Sequence, residues 1–438
     1  MASTPSATTE LLVLLGDEVV GRLSSGRAGK LAFTYDDRWR ADPNAYPLSV
    51  SMPLVAREHT GNVVSAYLWG LLPDNEIILD AWAKRFQVSP RNPFALLANV
   101  GEDCPGAVRF IALGRREERM REGAGAIEWL DEHAVADRLR ALHGDPSAWR
   151  AATDSGQFSL GGAQPKTALF FDGARWGVPS GRVPTTHILK PGAPHLQGHA
   201  ENEHFCLALA GELGLPVASS RIVHFEDEVA IVLERYDRLR RDRAIVRVHQ
   251  EDCCQALGTP PVDKYENTGG PGARDIVDLL RARSRSADED VRTFIAALAF
   301  NWIIAGTDAH AKNYSVLIGR GGAVRLAPLY DIASFLPYAQ HGVRKLKLAM
   351  KIGGKYRLHE IGAYQWTKLA RELGRHPEEL TASVLAMCRA LPDLAADVAK
   401  RAHAEGLSHV VVSALAHQIQ LRAQACAAAL EPATGAAT

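Results

Sequence analysis

The sequence predicts an α+β chain of two lobes, one rich in strands and one helical, preceded by a small α+β subdomain. Three observations carry that expectation. Short apolar runs punctuated by glycine fill residues 11–33 and again 158–234, the pattern of strands joined by tight turns. From Asp275 to about Leu430 the apolar spacing is instead that of successive helices. One stretch interrupts them: an apolar helix, FIAALAFNWII, breaks at Gly306 into the polar loop Thr307–Asn313. Two apolar runs, Tyr314–Ile318 and Val324–Leu329, then form a hairpin pattern around Gly319, Gly321 and Gly322 and end on Tyr330-Asp331.

At 438 residues the chain has room for two or three domains with ample core. Apolar residues make up 47% and charged residues 23%, an ordinary balance for a globular protein. The formal net charge is zero, so attraction to nucleic acid or membrane has to come from a local patch. The six cysteines show no CxxC pair, and adjacent Cys253 and Cys254 are poorly placed to bridge each other; reduced thiols are expected. The first residues lack the basic start and long apolar core of a secretory signal. No run approaches the roughly 18 apolar residues of a membrane span. A soluble cytoplasmic protein with no membrane partner is the expectation.

In chain order, residues 1–9 and 431–438 are small polar tails, expected to be disordered. Residues 10–114 hold the first subdomain: two or three strands in 11–33, then YPLSVSMPL as a strand bounded by prolines. Helices follow on both sides of Pro73, with Asp74 as the expected N-cap of the second, and Phe94–Val100 and Ala107–Ala112 close the block. Residues 115–152, with RREERMREG and WLDEHAVADRLRALHG, read as a charged helical connector with a solvated face.

Residues 153–248 form the expected strand-rich lobe. A glycine loop, Phe158–Lys166, runs into a strand at Thr167–Phe171, and a second strand, Thr185–Lys190, ends on a lysine. A helix opened by Glu201 and Glu203 stops at Gly214, and Val217–Phe225 pairs with Glu228–Glu234. Arg238, Arg240, Arg241 and Arg243 read as a solvated basic loop. Residues 249–430 form the helical lobe, with HQEDCCQAL starting its first helix. Within it Lys345–Lys355 is a basic strand pair, whose lysines either meet substrate or discourage edge pairing.

Asp308 and Asn313 share one loop, and Asp331 follows the next hairpin. Phosphoryl transfer needs this set: a carboxylate to orient or deprotonate the attacking hydroxyl, and an amide and a second carboxylate to hold Mg²⁺. The Asp-to-Asn interval equals the one inside a protein-kinase catalytic loop. A loop with Asp and Asn is by itself usually a turn, and the glycine loop is neither GxGxxG nor Walker A. The order of the parts carries the reading. Glycine loop, strand lysine, helix glutamate, hinge hairpin, helical lobe, Asp–Asn loop and final Asp follow one another as in a bilobal kinase. In that frame Gly161 and Gly162 expose backbone N–H groups to phosphates, Lys190 reaches the α/β-phosphates of ATP, and Glu234-Arg235-Tyr236 meets adenine.

Nearly the whole chain resembles the HipA family of bacterial serine/threonine kinases, toxins of type II toxin–antitoxin pairs. The resemblance rests on YPLSVSMPL, LWGLLPDN, SLGGAQPKTAL, HILKPG, ENEHFCLALAGELGLPV, LERYDR, HQEDCCQALG, KYENTGGPG, TDAHAKNYS and LAPLYDIAS. It implies Asp308 as catalytic base, Asn313 and Asp331 as Mg²⁺ ligands, and Lys190 on the α/β-phosphates with Glu203 as its partner. It implies a phosphate cover from Gly161, Gly162, Ala163, Gln164, Pro165 and Lys166, and adenine contacts from Glu234, Arg235 and Tyr236. His310 and Lys312 would flank the cofactor in the catalytic loop, His310 as an orienting residue. Pro165 stands where some members carry an acidic residue. Ser159 matches the serine that members autophosphorylate to switch themselves off; the phosphate adds about −1.5 to −2 charges. The implied partners are a HipB-like helix-turn-helix antitoxin dimer, operator DNA reached through it, and a protein substrate such as an aminoacyl-tRNA synthetase. Two other readings use the same lobe: a lipid or small-molecule kinase, and a nucleotide-binding scaffold for repressor assembly.

Overall fold

The computed structural model describes residues 9–431, apart from 27–28, 114–124, 150–157, 194–195, 243, 340–341 and 408. The expected tails (save Thr9 and Glu431) and the RREERMREG segment lie outside the described residues.

The N-terminal subdomain runs β1 (Glu10–Leu15), β2 (Glu18–Ser25), β3 (Leu31–Tyr35), α1 (Asp37–Ala41), β4 (Glu58–Thr60), α2 (Asn62–Gly70), α3 (Glu76–Phe86), α4 (Pro93–Val100) and β5 (Val108–Ala112). Its strands form one antiparallel sheet ordered β4-β3-β2-β1-β5. Leu11, Val13, Leu23 and Phe33 from the sheet share a core with Tyr67, Leu68 and Leu97 from the helices. YPLSVSMPL is not a strand. The Tyr35 hydroxyl donates to the Met52 carbonyl at 2.6 Å and accepts from Leu48 N–H at 2.8 Å, so a side chain takes backbone groups that a neighbouring strand would need. Asp74 is not the helix cap either. Asn75 fills that role for α3, accepting from Ile77 N–H at 2.9 Å, which frees Asp74 for the interior of the molecule.

The expected connector is built into the strand-rich lobe. β6 (Ile127–Leu130) pairs with β8, and α5 (Glu132–Gly144), capped by Asp131, buries Val135, Ala136, Leu139 and Leu142. That apolar stripe at helical spacing, not the charge on the opposite face, decides where α5 lies. The lobe continues with β7 (Thr167–Phe171), β8 (Trp176–Pro179), β9 (His187–Pro191), α6 (His199–Glu212), β10 (Ser220–Phe225) and β11 (Glu228–Glu234). The sheet order is β10-β11-β9-β7-β8-β6, which leaves β9 inside the sheet with β11 and β7 as its neighbours.

β12 (Arg238–Arg241) and β13 (Ala244–Arg247) make a small ribbon. HQEDCCQAL begins as a strand, β14 (His249–Asp252), because β15 (Ser315–Gly319) claims its backbone; only then does α7 (Cys253–Ala256) start, with Asp252 and Gln255 capping each other. β16 (Ala323–Leu326) completes a three-stranded sheet, the hairpin expected after the polar loop. The remaining elements are α8 (Ala273–Arg283), α9 (Ala287–Ile304), β17 (Lys347–Ile352), β18 (Lys355–Arg357), α10 (Ala363–Glu372), α11 (Pro377–Ala404) and α12 (Val410–Leu430). α9 runs through the core with Phe294, Phe300, Trp302 and Ile303 buried. It ends where Ala305 turns left-handed; a Cβ on Gly306 would lie 2.1 Å from Asn301 Oδ1, so a larger residue there has to push the Asn301 side chain aside.

The subdomain and the helical lobe are bolted together through β14 and α7. Glu251 accepts from Val50 N–H at 2.7 Å, the His249 ring meets the Leu48 carbonyl at 2.9 Å, and Gln255 Nε2 donates to the Tyr67 carbonyl at 2.8 Å. The expected solvated arginine loop divides: Arg238 is buried, Arg240 and Arg241 are exposed, and Arg243 lies outside the described residues.

Candidate active site

A cleft of about 730 Å³ opens between the glycine loop, β9 and the 308–313 loop. Lys190, at the end of β9, places its Nζ 2.7 Å from Glu203 Oε1 on α6 and 2.7 Å from Asp331 Oδ1. Its partner on α6 is thus Glu203 and not Glu201. Burial pushes the Lys190 ammonium down, but Asp331 and Glu203 outweigh it and hold the pKa above the usual lysine range. Burial likewise pushes Asp331 up, and Lys190 overrides it, so the carboxyl stays ionised well below the usual carboxylate range. Asp331 takes a left-handed backbone, φ 57°, a conformation Asp tolerates better than most residues.

Asp308 is exposed, and one carboxylate oxygen accepts from the Tyr265 hydroxyl at 2.7 Å. Its carbonyl is pinned by the Asn313 side-chain NH₂ at 2.9 Å and by His310 N–H at 2.8 Å. Burial, and then Asp308 itself, raise the Tyr265 phenol, which keeps the proton it donates. The His310 ring packs edge-on against Tyr265, and burial lowers its pKa, so it stands neutral beside the carboxylate.

The glycine loop docks on the end of α2. Asp74 N–H donates to the Gly162 carbonyl at 3.1 Å, and a Cβ on Gly161 would approach the Gly70 carbonyl to 2.9 Å. Lys166 donates to the Gly161 carbonyl at 2.7 Å and sits over the Trp149 ring. Burial, and then the nearby Lys190 cation, lower its pKa to about 8. Ala163, Gln164 and Pro165 complete the loop's wall of the cleft. Ser159 is fully buried, its Oγ donating to the Leu71 carbonyl at 2.7 Å.

Glu234, Arg235 and Tyr236 all line the cleft, while the Arg235 guanidinium turns into the protein and donates to Asp237, Thr185, Asp103 and the Cys104 carbonyl. Lys312 also lines the cleft, its Nζ 2.9 Å from Asp252 and 3.3 Å from the Gly70 carbonyl. Burial opposes its charge, but Asp252 and Asp74 hold it protonated. Conversely, the sequence reading missed Asp74 and Lys264, paired at 2.9 Å, and Tyr265. The signal was the KYENTGGPG motif, noted without a role for its Lys-Tyr pair.

Asp331 and the amide oxygen of Asn313 are hard donors. Mg²⁺ takes one or two carboxylates together with phosphate and water oxygens, so this pair fits it. Among the described residues, three buried polar atoms on cleft-lining residues accept or donate no hydrogen bond: Asp74 Oδ1 (3.8 Å from Lys312 Nζ), Gln164 Nε2 and His310 Nδ1. Leaving such groups unpaired is costly, which is the mark of a site completed by a polar ligand.

Comparison with known proteins gives the same architecture. Residues 158–395 match the HipA-like C-terminal domain and residues 11–111 the HipA N-terminal domain. A putative kinase of Sinorhizobium fredii, Y4mE, is 37% identical over 362 residues, 81% of this chain and 84% of its own length. The serine/threonine-protein kinase toxin HipA of Shewanella oneidensis is 31% identical over 410 residues, 89% of each chain. The structure of Shewanella oneidensis HipA with HipB and operator DNA superposes with a TM-score of 0.81 at 27% identity, covering 95% of this chain and 97% of that one. Since both domain families match in their expected order and the fold agrees across 95% of its length, the chain belongs to the HipA family.

Proposed function

We propose that the chain is an ATP- and Mg²⁺-dependent protein serine/threonine kinase, the toxin of a toxin–antitoxin pair. The observation that carries this is Lys190 held between Glu203 and Asp331 across the cleft from an exposed Asp308. Lys190 binds the α/β-phosphates while Glu203 keeps its charge and direction. Gly161, Gly162 and Lys166 cover the phosphates, and Glu234 and Tyr236 border the base. Asn313 and Asp331 would hold Mg²⁺, which neutralises charge on the phosphates during transfer. Asp308 takes the proton of the attacking hydroxyl, its free carboxylate oxygen facing solvent and substrate while Tyr265 fixes the other.

The surroundings of Ser159 support self-inactivation there: its Oγ is buried against a carbonyl, so a phosphate requires the loop to leave α2 and then bars its return. By likeness to the Shewanella complex we assign the chain a DNA-binding antitoxin partner and operator DNA reached through it. A translation component such as an aminoacyl-tRNA synthetase is the proposed substrate. We assign the ATP lobe to residues 125–248 and the catalytic lobe to 249–430.

Intact mass after incubation with Mg²⁺-ATP tests the reading. Wild type is expected to gain one phosphate at Ser159 and Asp308→Asn none; no gain in either, or an equal gain in both, would contradict it.

A further inference from the structure

A second cleft, of about 420 Å³, opens beside Asp308. It lies between Tyr265, Asn267 and Thr307 on one side and the β17–β18 ribbon on the other. Tyr265 lines this cleft, and its hydroxyl donates to the carboxylate of Asp308, which lines the first.

The ribbon is rigidly seated. Leu348, Met350 and Ile352 are buried in the helical-lobe core. A Cβ on Gly353 would lie 2.2 Å from the Gln365 carbonyl, so the turn is pressed onto α10. Glu266 fixes the other side, accepting from Lys351 N–H at 2.7 Å and lying 3.0 Å from Lys351 Nζ.

The charge left over is positive. Lys347 and Arg357 stand opposite each other in register, both exposed, and neither forms an ion pair among the described residues. Lys355 also lines the cleft, 3.5 Å from Glu360, which is the carboxylate present there. Like charges directly opposed across a strand pair destabilise it. An unneutralised, exposed pair on a fixed ribbon offers a surface complementary to negative charge.

We propose that this groove docks an acidic segment of the polypeptide substrate, next to the serine or threonine presented to Asp308. A polypeptide is favoured over nucleic acid because the cations are confined to one short groove on a chain of zero net charge, whereas a nucleic-acid surface needs an extended basic stripe. Charge complementarity at such a site fixes register and partner choice. The inference rests on the kinase reading for its direction, but docking is measurable without ATP.

The test is fluorescence anisotropy of the full chain with a labelled serine peptide flanked by glutamates, beside the same peptide with glutamines. Wild type is expected to bind the acidic peptide about tenfold tighter at low salt, with the preference shrinking as salt rises. Lys347→Glu/Arg357→Glu is expected to abolish or invert the preference, and Lys347→Gln/Arg357→Gln to weaken it with circular dichroism unchanged. Equal binding of both peptides by wild type, or a preference that survives charge reversal, would overturn the proposal. Tight binding of a single-stranded RNA that the reversal abolishes, with no peptide preference, would overturn it in favour of nucleic acid. Acidic-peptide binding without phosphate transfer would uphold the groove and count against the kinase reading.

Discussion

Two buried ionic networks lie close together in this chain, and they differ in how completely they are satisfied. Behind the hinge, Asp103 of the N-terminal subdomain accepts from Arg238 and Arg247 through Oδ1 and from Thr185 and Arg235 through Oδ2. Asp237 engages both its oxygens with Arg235 and Gly106 N–H. Burial pushes Asp103 up, yet the surrounding guanidiniums hold it well below the usual carboxylate range. Across the cleft, Lys190, Asp331, Asp74 and His310 are also charged or polar, but Asp74 Oδ1, 3.8 Å from Lys312 Nζ, and His310 Nδ1 form no hydrogen bond among the described residues. The first network engages both carboxylates fully and leaves Arg238 Nε unpaired away from the cleft; the second lines the cleft, where its unpaired atoms can meet a ligand. The Arg235 guanidinium belongs to the first network, although Arg235 also lines the cleft between Glu234 and Tyr236.

The comparison is broken most severely by removing Asp103. Asp103→Ala strands buried guanidiniums without a counter-charge and is expected to cost about 3–5 kcal/mol of stability by urea unfolding. A loss under about 1 kcal/mol would place the network among exposed ion pairs. On the other side, Asp308→Asn is expected to lower phosphotransfer by about 10²–10⁴-fold at unchanged melting temperature, read by radiolabelled phosphate incorporation. Tyr265→Phe deletes one hydrogen bond to a charged group. About a tenfold fall in kcat is expected, with KM for ATP kept, and an equal change in both would show that Tyr265 acts on nucleotide binding.

A pH-dependent effect concerns Glu251, a buried carboxyl that forms no ion pair among the described residues. Burial raises its pKa from 4.5 to about 8. The folded state therefore keeps a proton that the unfolded chain releases above pH 4.5, so stability falls as pH rises from there through about 8. Glu251→Gln should flatten that slope in pH-dependent unfolding curves; a slope equal to wild type would assign it to other groups.

The parts of the site that are legible in the sequence are those whose signal is local. Asp308, Asn313 and Asp331 lie within one helix–loop–hairpin stretch, and Lys190 and Glu203 fall at the end of a strand and the start of the next helix. Asp74 and Asp103 act across more than a hundred residues of sequence, on Lys264 and on the arginines after β11, and no periodicity marks such pairs. Local pattern also misled where a distant group won. YPLSVSMPL alternates like a strand, but Tyr35 takes its backbone; α5 looks solvated by charge, but its apolar stripe seats it on the sheet. Lys312, expected to flank the cofactor, lines the cleft and also pairs with Asp252, a contact no local pattern shows.

The most direct measurement sets Asp308→Asn beside Asp103→Asn, with phosphotransfer and melting temperature read on each. The account predicts that the first loses transfer and melts like wild type, while the second melts early yet transfers phosphate whenever it is folded. Normal transfer by Asp308→Asn, or a wild-type melt for Asp103→Asn, would contradict it.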